Sequence, residues 1–176
     1  MFVRPVERAG AIFDMLLSAP HSNFPVVDKD DSQILFGTIS RHALCILLQK
    51  SAYGHPKSMD RVPSTVDSLA AGDDLFVPLV QWHEIEASYP RYPSIEDVHV
   101  ADRSAWVDLR PYANTAPVTV QESASVERAY DIFRSLGLRF LPVVNRYNQI
   151  VGTLTRSDLT PEALAKALLG KGKKLR

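Results

Sequence analysis

The chain uses one phrase twice, and that repetition constrains its fold more than any other feature. Val6-Glu7-Arg8-Ala9 is followed after two residues by Ile12-Phe13, and Val126-Glu127-Arg128-Ala129 is followed after two residues by Ile132-Phe133. Each copy leads to Pro-Val-Val, at Pro25 to Val27 and at Pro142 to Val144. Each then reaches Gly-Thr, an apolar residue, a hydroxyl residue and arginine: Gly37-Thr38-Ile39-Ser40-Arg41 and Gly152-Thr153-Leu154-Thr155-Arg156. Matched blocks in the same order rarely arise by chance, even with gaps that differ by a few residues. The chain is an internal duplication, so its function is that of a pair of like units.

Each block has a physical reading. Val126, Ala129, Ile132, Phe133 and Leu136 fall on one face at helical spacing, with Ser125 placed as N-cap. Phe140-Leu141-Pro142-Val143-Val144 is short, apolar and β-branched, as a buried strand is; its proline points to an edge or a strand start. Asn145 to Asn148 form a turn and Gln149 to Leu154 the returning strand. A further helix starts at Thr155 or Ser157. The order is βαββα, an α+β unit whose core is small alone and adequate when two units share a domain. Leu16, Val26, Val27, Ile39, Ile132, Phe133, Val143, Val144 and Leu154 are expected in the core.

Charge excludes one class of partner. Twenty basic residues balance twenty acidic ones, and the basic excess that neutralises phosphates in nucleic-acid binding is absent. The single cysteine, Cys45, lies in an apolar helical stretch and reads as a packing residue of a reduced, cytosolic protein. No stretch reaches the ~20 apolar residues of a membrane helix, and Arg4, Glu7 and Arg8 break any signal peptide. The chain is expected to be soluble. His21, His42, His55, His83 and His99 have no metal-ligand spacing, and neither a nucleophile elbow nor a phosphate loop occurs. His83 and Glu84 are adjacent and need not face one another. No enzyme is expected.

In chain order, residues 1–50 form the first unit and 51–106 an inter-unit linker, part of it mobile. Residues 107–170 form the second unit and 171–176 a basic tail. Residues 5 to 19 are expected as the first helix, weakened by Gly10. Only Phe2-Val3-Arg4-Pro5 precede it, so the first unit should lack its first strand, as it would in a piece cut from a longer chain. Asp28 to Ser32 read as a solvated acidic turn, and Leu75 to Val80 as a patch packed on the core.

The strand-helix order resembles the CBS module, which occurs in tandem pairs. His21-Ser22-Asn23-Phe24-Pro25-Val26-Val27, the stretch from Trp106 to Val120, and the stretch from Arg134 to Val144 resemble the CBS pair of eukaryotic CLC chloride channels and anion/proton exchangers, the Trp106 stretch especially their plant-type branch. This resemblance implies a regulatory and assembly domain on the cytosolic face of a membrane, joined to a CLC transmembrane domain in the same chain and dimeric through the second module. It also implies a regulatory ligand, ATP, ADP or AMP, in a cleft between the modules. Asp158 would accept the ribose hydroxyls, with Thr155 and Arg156 beside it, and the base would lie against His21, Ser22, Asn23 and Pro25. In relatives that bind ATP an aromatic residue stands at the position of His21. His42 is read as the counterpart of Asp158 in the first module, which would leave a second cleft empty. Asp158 also suits a helix cap. The other function class is a free-standing or enzyme-attached CBS-pair nucleotide sensor.

Overall fold

A computed structural model describes residues 1–28, 33–55, 80–89 and 91–171, the last five by backbone alone. The acidic turn beyond Asp28, the loop from residue 56, the apolar patch up to Leu79 and the basic tail therefore lie outside the described residues. The chain divides into two compact units, Met1–Ala116 and Pro117–Arg176.

The first unit is built on an antiparallel hairpin of β2 (Asn23–Val27) and β3 (Leu35–Ser40), with Pro25 opposite Thr38 and a bulge at Val26/Val27. Proline has no N–H, so the Pro25–Thr38 pair exchanges no ladder bonds and each residue turns its backbone groups outward. Both outer edges are then covered. Val3 runs parallel to Val26, its N–H donating to the Pro25 carbonyl at 3.0 Å and its carbonyl accepting from Val27 at 2.9 Å. Asn114 lies antiparallel to Thr38 and exchanges bonds of 2.9 and 2.8 Å with it. Among the described residues no strand stands in the place that β5 takes in the second unit; Val3 meets that edge with a single bridge.

The first helix is shorter than expected, for a tertiary reason. Val6–Arg8 is extended as β1, because it pairs with β4 (Trp106–Asp108). Helix α1 begins at Ala9 and ends at Ser18. Its first free amides are taken by backbone: Ala9 donates to Ala105 at 2.9 Å and Gly10 to Arg103 at 3.0 Å. A β-carbon on Gly10 would lie 2.8 Å from that Arg103 oxygen, so the residue that weakens the helix in isolation is required by the chain against it.

Ile12, Leu16, Phe24, Val26, Ile39 and the apolar side of α2 (Arg41–Gln49) form the core of this unit, Cys45 among them at 1% exposure. Burial pushes the Cys45 thiol up, against a smaller opposing pull from Arg41. Val80, Ile85 on α3 (Trp82–Glu86), Ile95, Val98, Val107 and Leu109 join the same core. Val80 packs on the core as expected, while the stretch from Trp82 to Trp106, read from sequence as linker, is the closing wall of the first unit, and the boundary falls after Ala116.

The second unit repeats the plan. Strand β5 (Val120–Gln121) runs parallel to β6 (Phe140–Val144), which runs antiparallel to β7 (Ile150–Thr155), with Pro142 opposite Thr153 and the bulge one residue on. Helix α4 (Val126–Leu136) is capped by the Ser125 hydroxyl, which accepts from Arg128 N–H at 3.2 Å. Its apolar face is narrower than the spacing predicts. Ala129 and Phe133 are buried and Ile132 half-buried, while Val126 and Leu136 are half-exposed or more. Val143 and Leu154 are also half-buried, so three of the nine expected core residues sit at the margin of a small core; the other six are buried.

The repeated arginine has the same work in both units. Arg41 donates to the carbonyls of Leu16 and Ala19, each at 2.6 Å, where α1 leaves acceptors unfilled. Arg156 donates to Leu138, just past α4, at 2.8 Å. Among the described residues no helix is long and apolar enough to cross a membrane.

Candidate functional site

In the second unit β7 ends at Thr155, and the chain turns through Arg156–Leu159 before α5 (Pro161–Lys171). Thr155 and Asp158 close that turn on each other. Asp158 Oδ2 accepts from the Thr155 N–H at 2.7 Å and from its hydroxyl at 2.6 Å, while the Thr155 side chain receives the Asp158 N–H. This is a capping box, so the alternative reading of Asp158 as a cap describes its present contacts. Both bonds fall on Oδ2. Asp158 also lines a cleft of about 480 Å³ whose walls include Val120, Ala129, Val143, Leu154 and Leu159. Asp158 is exposed, and the apolar walls carry Gln121, Glu122, Ser125 and Thr153 as further polar groups, the mixture of a small-molecule site. Arg156 is committed to Leu138 by its Nε.

In the first unit the expected base contacts are each placed separately. His21 is exposed and lies edge-on to Phe24, ring centres 6.3 Å apart and planes at 74°. Ser22 is exposed, its carbonyl accepting from Arg41 N–H at 2.8 Å. Asn23 begins β2 and sends its amide nitrogen toward the Ser22 hydroxyl at 3.4 Å. Pro25 is buried and its carbonyl is taken by Val3, so its backbone is structural.

The pairing of His42 with Asp158 is off by one residue. Ser40 faces Asn23 as Thr155 faces Phe140, and counting three residues on from each gives Ala43 and Asp158. The Ala43 N–H donates to Ser40 Oγ at 3.1 Å, repeating the cap without a carboxylate. Ala43 is buried and offers no acceptor for a ribose, so the asymmetry between the units stands on a different residue. His42 instead stacks on Tyr92, centres 3.9 Å apart and planes at 9°.

Two polar groupings had no signal in the sequence. Asp108 and Arg110 form a two-pronged ion pair at 2.9 and 2.7 Å, largely out of solvent, and the hydrogen bonds to Asp108 raise the Arg110 pKa. The Tyr112 hydroxyl accepts from Val80 N–H at 2.8 Å, and burial raises its pKa. Together they bind the stretch from Trp106 to Asn114 into the first unit.

The other grouping joins Asp102 to Ser104 at 2.7 Å and to His55 at 2.7 Å. Residues 47 apart in sequence give no pattern to read. Serine and histidine both bond the carboxylate rather than each other, which is not the geometry of an activated nucleophile. These bonds, Ser104's first, hold Asp102 down at about 2. A depressed carboxylate adds stability above its unfolded pKa and loses it as pH falls through the folded one. Acid unfolding between about pH 4 and pH 2 should therefore be less steep in Asp102→Asn than in the wild type. Superimposable acid limbs would show that the network does not contribute.

Comparison with known proteins gives four findings. A family model described as the CBS domain matches residues 108–164. The H(+)/Cl(-) exchange transporter 7 of Bos taurus is 36% identical over 97% of this chain and 20% of its own length. Chloride channel protein CLC-d of Arabidopsis thaliana is 30% identical over 89% of this chain and 19% of its own. The chain thus spans about a fifth of the curated relatives it matches. Among solved structures, CBSX2 in complex with AMP is 19% identical with a TM-score of 0.51, covering 97% of this chain and 89% of that one, a likeness of fold.

Proposed function

We propose that the chain is a CBS-pair region of a CLC-family chloride-transport protein, and that it is the regulatory and assembly module of that CLC-type anion transporter. Similarity over 97% of the chain to one fifth of a much longer transporter supports this reading. Identity of 36% to a transporter against 19% to CBSX2 favours it over a free-standing sensor. In this reading a CLC transmembrane domain in the same chain is the partner. The module sits on the cytosolic face, two copies meet through their second modules, and no catalysis is required.

The regulatory ligand in this reading is one adenine nucleotide. Asp158 takes the ribose hydroxyls, an acceptor-only group facing two donors, and its cap contacts use one oxygen only. His21 and the Ser22-Asn23 backbone meet the base, and Thr155 and Arg156 hold the turn that carries Asp158. CBSX2, of the same fold, is a protein whose structure contains AMP. Binding changes transport only where the ligand has different affinity for two states of the parent protein.

Calorimetric titration of ATP, ADP and AMP tests the site. Asp158→Ala should weaken binding by tens-fold, since two bonds to a charged acceptor are worth about 2–4 kcal/mol. His42→Ala should leave it unchanged. Because Asp158 also caps its turn, Asp158→Ala is titrated well below its melting point. No heat at millimolar nucleotide would leave Asp158 as a cap and the domain with assembly alone.

A further inference from the structure

The two units share a hairpin register and differ at its outer edge. In the first, Thr38 exchanges bonds of 2.9 and 2.8 Å with Asn114. A β-carbon on the neighbouring Gly37 would lie 2.5 Å from the Asn114 oxygen, so that glycine exists to admit the chain laid over it. In the second, Pro142 stands opposite Thr153 as Pro25 does opposite Thr38, and Val143 opposite Gly152 as Val26 does opposite Gly37. The missing proline N–H again forbids ladder bonds at that pair and turns the Thr153 N–H and carbonyl outward.

Nothing among the described residues meets them. β7 ends its sheet, and no isolated bridge reaches it. A β-carbon on Gly152 would touch nothing within 4 Å. Thr153 is exposed and Val151 is 50% exposed. From Ile150 to Thr155 there is no charge and no proline, the usual guards of a free edge. The repeat has kept the glycine and the outward-facing pair without the segment they serve.

We propose that the β7 edge is a docking site for an extended polypeptide segment, which enters antiparallel, exchanges two backbone bonds with Thr153 and lies over Gly152. The occupant of the equivalent edge fixes its chemistry. Ala113-Asn114-Thr115-Ala116 is small and uncharged, and Asn114 Oδ1 accepts from Ala116 N–H at 3.1 Å to hold the segment's shape. The partner is a segment of that kind: small residues, no charge, backbone presented at one asparagine. Recognition is strand addition, with the backbone supplying the bonds and the glycine excluding bulk.

The test fuses a second copy of residues 113–117 ahead of Met1 through a flexible Gly/Ser linker just long enough to reach β7, which gives an effective concentration of up to about millimolar. Amide exchange at Thr153, read by NMR, should slow by about tenfold or more relative to a fusion with the same residues scrambled. Gly152→Val should abolish that protection in the fusion and leave the melting point of the unfused chain unchanged. Equal exchange at Thr153 in both fusions overturns the proposal. Protection of Thr153 in the unfused chain that grows with protein concentration also overturns it, because a second copy then holds the edge.

Discussion

Phe133→Ala should abolish the native signals of the second unit. The packed cluster there is Val120, Ala129, Phe133 and Leu141, with Val144 also buried, and Phe133, at 3% exposure, is the largest of these side chains. Truncating a buried phenylalanine costs about 3–5 kcal/mol through lost burial and the cavity left behind. A unit of about 60 residues has a total stability of only about 3–9 kcal/mol. Ile132, Val143 and Leu154 are half-buried around it and cannot collapse far without baring more surface. The measurement is an amide NMR spectrum with a thermal melt. Dispersion should be lost for residues 117–171 while Phe24 and Leu44, in a core made of their own unit's residues, keep their signals. A variant that melts within a degree or two of wild type would show that Phe133 is not core.

The second large effect separates two glycines that look identical in sequence. Gly37→Ala places a β-carbon 2.5 Å from the Asn114 oxygen, a backbone atom that can yield only by breaking its bridge to Thr38. Two backbone hydrogen bonds and a local overpacking together cost about 2–4 kcal/mol. The melting point should fall by roughly 10 °C. Gly152→Ala meets nothing within 4 Å and replaces the poorest strand former, so it should be neutral or stabilising by about 0.5 kcal/mol. Equal melting shifts for the two would mean that Asn114 does not hold the edge of β3.

The contrast shows what the sequence could and could not reveal. Local rules found the repeat, the hairpins, the Ser125 cap and the buried Cys45, because spacing and residue type alone determine those features. They missed Val6–Arg8 as a strand, since its partner is Trp106–Asp108 and nothing local forbids a helix there. They misread the stretch from Trp82 to Trp106 as linker because its core residues, Ile85, Ile95 and Val98, stand in short elements without a period. The cap at Asp158 was legible because its motif is contiguous, while the contacts of Pro25 and Arg156 needed the fold. The one-residue slip at His42 came from judging equivalence by chemical interest; strand register decides it, and it chooses Ala43.

The pairing of β1 with β4 bears on how the chain is made. Val6 must wait for Asp108 and Val3 is bonded early to Val26, while every strand pair of the second unit lies between Val120 and Thr155. Contacts of such different sequence separation form at different speeds, the distant ones later. At a synthesis rate of about 5–20 residues per second, the roughly 100 residues between Val6 and Asp108 take about 5–20 s to appear. Over that interval the β2–β3 hairpin and the apolar side of α2 have neither Val107 nor Leu109 to cover them. The unit that is translated first is completed only as the second begins to emerge, so a nascent chain halted before Trp106 should be the species that chaperones hold.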